Sequence, residues 1–245
     1  MQNRITLQAL AFSIILLSVP AWAQRGPGRA LQGPGNQGMC LALANSAPPQ
    51  QALSAREAVE LTYLREEEKL ARDVYAKLQS KWGVPMFGNI AQGEERHFNA
   101  IKVLLDRYNL PDPAANAPAG VFKDSRLQTL HGDLNQQGDR SIRAAFRVGA
   151  AIEDLGIRDL EKAAEATDNS ELKLIYGNLR QASENHLRAF VRQLQAAGET
   201  YAPQYIGQEA FADILANQMQ TGARQGRGMG YGARGSSRRG YGARQ

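Results

Sequence analysis

Cysteine is nearly absent: Cys40 is the single one among 245 residues. That excludes an intrachain disulfide and a paired-cysteine redox or metal site. Cys40 lies beyond the early apolar run, so it reads as a free or intermolecular thiol in a loose segment rather than a lipid-anchor cysteine. Acidic residues are missing from 1–50 and from 222–245, which hold three and six arginines. Taking those nine from the 29 basic residues leaves 20 against 24 acids, a net of −4 for 51–221. The formal charge of +5 therefore belongs to the ends. A mildly acidic middle argues against a nucleic-acid-binding core. Sustained period-two alternation is lacking as well, so strands are not expected and the class is all-α.

The ends read as appendages. Residues 1–23 combine Arg4, an apolar run from Leu10 to Val19 and the small-x-small site Ala21-Trp22-Ala23. This is the pattern of a secretory signal peptide, too short for a membrane span. We therefore expect an exported protein, periplasmic or secreted, with no transmembrane segment in the mature chain. Residues 24–53, rich in Gly, Pro, Gln and Ala, read as a disordered linker. Residues 222–245 repeat Gly-Tyr-Gly-Ala-Arg at 230–234 and 240–244 and read as a disordered tail. Arg-Gly-Tyr spacing is able to bind single-stranded nucleic acid, but in an exported chain a solvated tail, or one attracted to anionic envelope polymers, fits better.

Between the ends, helix signals recur. Ser54 with Glu57 forms a capping box for a first helix reaching about residue 81. Gly83-Val84-Pro85 breaks it, and a second helix follows from about 87 to 108. Pro111, Pro113 and Pro118 exclude regular helix. Leu127, Leu130 and Leu134 mark a short helix before Gly138. Ser141 caps a third long helix to about 166, and Asp168 with Glu171 caps a fourth ending near Gly198. Phe211, Ile214 and Leu215 suggest a short terminal helix within 207–221. Short connections make two antiparallel hairpins, and the roughly thirty-residue link between them is long enough for a crossover, giving a four-helix bundle over 54–206.

The inward seams of those helices are not purely apolar. They read Leu61, Leu64, Glu68, Ala71, Tyr75, Leu78; Ile90, Glu94, His97, Ile101, Leu104, Tyr108; Ile142, Phe146, Gly149, Glu153, Gly156, Leu160; and Tyr176, Leu179, Ser183, His186, Phe190. Steps of three and four keep each series on one helix face. A lone charge there is expensive, so three Glu and two His at mid-helix suggest a shared metal partner. Carboxylate-bridged di-iron bundles use a Glu from two helices and Glu-x-x-His from the other two. Glu68, Glu94, His97, Glu153 and His186 supply five of those six positions, with Ser183 where the sixth would stand. The competing acids fit worse: Glu66 and Glu67 leave the register, Asp154 has an exposed-pair spacing to Arg158, and Glu184 pairs with Arg180 or Arg188. His131 lies off the seams and reads as an ordinary surface or boundary residue. Gly149 and Gly156 leave room for a metal pair, a substrate or close helix approach. The alternative is a buried polar network without metal.

Glu68-x-x-Ala71-Arg72-x-x-Tyr75 resembles the first-helix pattern of rubrerythrins. Arg65-Glu66-Glu67-Glu68-Lys69-Leu70-Ala71-Arg72-Asp73-Val74-Tyr75, Phe87-x-Asn89-Ile90, Val148-Gly149-x-x-Ile152-Glu153 and Asn185-His186-Leu187-Arg188-Ala189-Phe190 together resemble the domain-of-unknown-function family numbered 2202. The resemblance implies a ferritin-like fold. The expected function is a di-iron or di-manganese redox centre acting on O2, peroxide or Fe(II), with Tyr75 as a hydrogen-bonding or electron-donating catalytic residue. The alternative is a non-enzymatic metal-binding or structural envelope protein whose basic tail meets anionic surfaces. Limited proteolysis is expected to remove 24–50 and 222–245 quickly and leave a folded core; a protease-resistant tail would contradict the division.

Overall fold

The structure is a computed structural model that describes residue 49 and residues 51–217. The expected signal peptide, most of the linker and the basic tail lie outside the described residues. Among the described residues there are six α-helices and no strand: α1 (Ala55–Trp82), α2 (Pro85–Arg107), α3 (Ser125–Gly138), α4 (Ile142–Glu165), α5 (Ser170–Ala196) and α6 (Gln208–Ala216). No helix among them is long and apolar enough to cross a membrane.

The helix ends follow local chemistry. Ser54 and Glu57 form the reciprocal capping box of α1, which satisfies two orphan donors. Gly83 ends α1 at φ +66°, a left-handed conformation that glycine adopts without a Cβ penalty. Asp124 and Ser141 cap α3 and α4. The start of α5 corrects the reading from sequence. Its cap is Asn169, which accepts from the amides of Glu171 and Leu172, whereas Asp168 is fully exposed. The Asn169 amide group also donates to Tyr108 Oη at 2.8 Å, a tertiary anchor that Asp168 does not have.

Helices α1 and α2 pack along each other, as do α4 and α5. The two hairpins meet through α1 against α4 and, over a shorter interface, α2 against α5, with α3 on α1 and α4 and α6 on α5. The core divides into two apolar clusters. One holds Tyr75, Leu78, Phe87, Phe146 and Phe190. The other holds Leu61, Leu64, Ile101, Leu104, Leu160, Tyr176 and Leu179. Along all four long helices the seam changes from one cluster to the other where Glu68, Glu94, His97, Glu153 and His186 stand. Gly149 permits close approach of α4 to α5, since a Cβ there would collide with the Phe190 ring. Gly156 faces open space instead.

Two segments are tied to the helices by buried charges. In the first, Arg65 grips Asp112 with Nε and Nη2 at 3.1 and 2.8 Å and donates through Nη1 to the Phe98 carbonyl. Glu66 accepts from the Lys123 and Asp124 amides at 2.6 and 2.9 Å. Lys69 Nζ reaches Asp73 at 2.6 Å and the Pro118 carbonyl at 2.7 Å, and Asp73 accepts from the Gly120 amide. In the second, the Asp154 carboxylate accepts from Tyr201 Oη and the amides of Gln204, Tyr205 and Ile206 at 2.6–3.2 Å. Asp154 is thus fully buried rather than exposed and paired with Arg158, because the chain after α5 folds back over it. Glu184 keeps its expected partner, Arg180, at 3.2 Å. Asp154→Ala leaves three amides and a phenol unpaired and is expected to destabilise by about 3 kcal/mol or more. Glu184→Ala, at a partly exposed pair with one-turn spacing, is expected to change stability by about 1 kcal/mol or less; chemical denaturation of both variants checks the contrast.

Candidate metal centre

The five seam residues occupy one layer. The Glu94 carboxylate is its middle. Oε2 lies 2.9 Å from His97 Nδ1, on its own helix one turn on. Glu68 Oε2 lies 3.4 Å from the same nitrogen. On the other side Glu94 Oε1 lies 2.7 Å from His186 Nδ1, and Glu153 Oε1 is 3.6 Å from that nitrogen. The donor atoms of Glu68, Glu94 and His97 fall within 4.8 Å of one another, as do those of Glu94, Glu153 and His186. Glu94 belongs to both triads, and the two imidazoles face each other with centroids 5.8 Å apart.

Glu94 Oε1 and His186 Nδ1 are buried and make no hydrogen bond, although they are 2.7 Å apart. Their approach lacks the alignment that a hydrogen bond needs. Two donors brought that close without pointing at each other suit a third body that both could reach. Oxygen and imidazole donors in this ratio suit iron, manganese or zinc.

Tyr75 has a definite place. Its hydroxyl donates to Glu153 Oε1 at 2.6 Å and also lies 3.2 Å from the Gly149 carbonyl. The ring is wholly buried and tilted against Phe190. Burial and then the Glu153 charge push the phenol well above its ordinary range, so it carries a proton at neutral pH. Ser183 is buried on α5, on the seam one turn before His186, and no carboxylate replaces it, because Glu184 turns to Arg180.

Electrostatics in the layer follow burial and mutual charge. Burial opposes ionisation of Glu94, yet His97 and His186 together hold its carboxyl far below the usual range. Burial raises Glu68 to about 7, against the pull of His97. Burial and the Glu94 charge raise Glu153. Burial disfavours charged imidazole, but Glu94 and Glu153 raise His186 to about 9, and Glu94 and Glu68 raise His97. The layer is thus a set of acids and bases that hold protons against one another.

Sequence reasoning missed the buried charges beside these residues. Arg65, Glu66, Lys69 and Asp73 surround Glu68 on α1, Asp154 follows Glu153, and Arg188 sits two after His186. Arg188 donates through Nη1 to the Ile214 carbonyl at 2.7 Å, tying down α6. Glu67 is buried on the α4 side, where burial and the charges of Asp159 and Glu68 push its carboxyl well up. The available signal was density: seven of the nine residues from Arg65 to Asp73 are charged, more than a solvated face needs. His131 is half-buried, as expected of a boundary residue; it packs against Phe122 and hydrogen-bonds with Asn135.

Comparison with known proteins places these features in a lineage. The family described as an uncharacterized protein domain, DUF2202, matches residues 57–218. The uncharacterized protein MJ0754 of Methanocaldococcus jannaschii is 46% identical over 177 residues, covering 72% of this chain and 96% of that protein. The crystal structure of hypothetical protein MJ0754 matches with a TM-score of 0.70, across 71% of this chain and 100% of that one. The matched span takes in both triads, Tyr75 and the charges that tie the two segments, and on these grounds the chain belongs to the DUF2202 family.

Proposed function

We propose that this is an exported, ferritin-like four-helix-bundle protein, with its long crossover carrying α3, and that its mid-bundle layer holds a di-iron or di-manganese redox centre acting on O2, peroxide or Fe(II). The observation that carries the reading is the Glu94 carboxylate, shared by two triads, with one oxygen and its neighbour His186 Nδ1 lacking hydrogen bonds. Glu68, Glu94 and His97 would hold one ion, and Glu94, Glu153 and His186 the other. The metals, when bound, supply one-electron chemistry and Lewis acidity toward small oxygen species. Export rests on the sequence pattern of residues 1–23.

The chain's own residues support that chemistry in specific ways. The two apolar clusters on either side of the layer exclude water and strengthen charge interactions inside it. Tyr75 holds Glu153 Oε1 in place and keeps a proton at its hydroxyl, one hydrogen bond from a proposed ligand. Buried next to a carboxylate, it is also placed to supply an electron. No cysteine pair is present to relay electrons, so the reductant must come from a partner or be the Fe(II) substrate.

The runner-up is a metal-free buried network, favoured by the 2.9 Å pairing of His97 with Glu94. Glu68→Gln separates the two. Burial raises Glu68 to about 7, so about half of it carries a proton at neutral pH, and the amide is expected to change the metal-free protein's stability little while halving the Fe(II) or Mn(II) bound per chain, read by elemental analysis. Glu94→Ala removes the anion between two imidazoles. It is expected to cost the metal-free fold about 1–3 kcal/mol and to abolish the rise in melting temperature that saturating metal gives wild type. A wild-type melting temperature indifferent to both metals would sink the proposal.

Acidity offers a second test. A raised imidazole stabilises the fold below its unfolded value near 6.5 and loses that contribution as pH rises through about 9, the value for His186. A raised carboxyl costs stability as pH climbs from 4.5 through about 7, the value for Glu68. Both effects have the same sign. The metal-free protein is expected to melt at a progressively lower temperature from pH 6 to pH 9.5. The increment from added metal is expected to grow over the same window as protons leave the ligands. Calorimetric scans across that range check both slopes.

A further inference from the structure

One end of the bundle is open. Between the first turn of α1 and the end of α2 lies a cleft of about 460 Å³, lined by Leu53, Ala55, Ala58, Tyr108 and Leu110 among others. Leu53, Tyr108 and Leu110 are also the half-buried edge of the second apolar cluster, so the cleft leaves the base of that cluster open to water. Ala55 is exposed. Val59, one turn further along α1, is 68% exposed, the most exposed large hydrophobic among the described residues. The one charged side chain in the lining, Arg107, is already ion-paired with Glu171 at 2.6 Å.

What leads into the cleft is this chain itself. Pro49, where the described residues begin, is part of its wall. Just upstream the sequence reads Met39-Cys40-Leu41-Ala42-Leu43-Ala44, the longest unbroken apolar run between 24 and 53. No charged residue stands from Ala30 to Leu53, so seating the run takes no charge out of water. Asn45 and Ser46 follow it, and both favour turns, which lets the chain reverse before Pro48 and Pro49. Ala44 is five positions before Pro49, a reach of roughly 17 Å at most, so the run stays close to the cleft. A tether that short gives an effective concentration on the order of millimolar, and weak apolar contacts then suffice for docking. In an extended run Met39, Leu41 and Leu43 share one face, and Cys40 points away from it.

We propose that residues 39–44 of this chain dock into the cleft, with Met39, Leu41 and Leu43 against its apolar wall. Docking ties the linker to the end of the bundle, covers the base of the second apolar cluster and leaves the Cys40 thiol facing solvent. The metal layer lies at mid-bundle and takes no part, so the docking stands or falls separately from the function proposed above. Cleavage between 45 and 48 would still release the run, in keeping with the proteolysis expected from the sequence.

The test attaches a nitroxide to Cys40, the single thiol, in the reduced chain from Gln24 onward, and reads the backbone amide signals by NMR. Loss of the Ala55, Ala58 and Leu110 signals through paramagnetic broadening is expected. Leu41→Ser combined with Leu43→Ser keeps the tether but removes the docking face, and is expected to restore those signals. Ala55→Glu is expected to restore the signals of Ala58 and Leu110, because it puts a charge in the cleft while suiting the first turn of a helix. Signals lost to the same degree in the doubly substituted chain reflect the tether alone and overturn the proposal, as do signals that are never lost. Mixing nitroxide-bearing chains with isotope-labelled Cys40→Ser chains tests the other occupant. Equal loss in the labelled chains assigns the cleft to the run of a second copy and overturns docking within one chain.

Discussion

One carboxylate between two imidazoles organises the middle of this molecule. Glu94 stands within 2.9 Å of His97 and 2.7 Å of His186, inside a core whose apolar clusters end on either side of it. An ion at that depth without a counter-charge is very costly. The fold meets the cost by bringing charge from all four long helices to one level. Glu68 and His97 meet across the α1–α2 hairpin, Glu153 and His186 across the α4–α5 hairpin, and Glu94 joins the two. Helix register is therefore fixed by electrostatics as well as by packing, since sliding a long helix by a turn would replace a charged group with an uncharged seam neighbour such as Leu64, Ile90, Gly149 or Phe190.

A second set of buried charges holds the helices at that register. On α1, Arg65, Glu66, Lys69 and Asp73 flank Glu68 and bind the segment 112–124. On α4 and α5, Asp154 and Arg188 flank Glu153 and His186 and bind 201–214. Three of the five layer residues thus sit next to side chains that grip a distant loop. Hydrogen bonds to charged groups are worth more than neutral ones, about 1.5–3 kcal/mol each, and here they act on the turns that carry the proposed ligands. Rigid support of this kind is what a site with small tolerances needs. Helix α2 is the exception. It carries Glu94 and His97, but its outward charges pair with neighbouring side chains, such as Glu95 with Arg72 and Lys102 with Asp106.

The parts that were legible in the sequence depend on local periodicity. Steps of three and four residues put Glu68, Glu94, His97, Glu153 and His186 on the inward faces of their helices without any knowledge of tertiary contacts, because helical geometry alone sets those faces. The cap formed by Ser54 and Glu57 was likewise readable, being a four-residue event. Asp154 was not. Its spacing to Arg158 matches an exposed helical pair, and its four donors lie 47–52 residues away. The same holds for Arg65 with Asp112 and for Glu66 with the amides of Lys123 and Asp124. Asn169 displaced Asp168 as a cap for a similar reason, since its amide group also serves Tyr108. Gly149 was read as room for a ligand or for close helix approach, and the Phe190 ring decides for approach.

The central claim is that this layer is built around two metal ions that share Glu94. Anomalous scattering at the iron and manganese edges, from crystals of protein purified from its native compartment, tests it most directly. The account predicts two peaks about 3.5–4 Å apart, one within bonding distance of Glu68, Glu94 and His97 and the other of Glu94, Glu153 and His186. A layer with no anomalous density at either edge, with Glu94 hydrogen-bonded to both imidazoles, would contradict it.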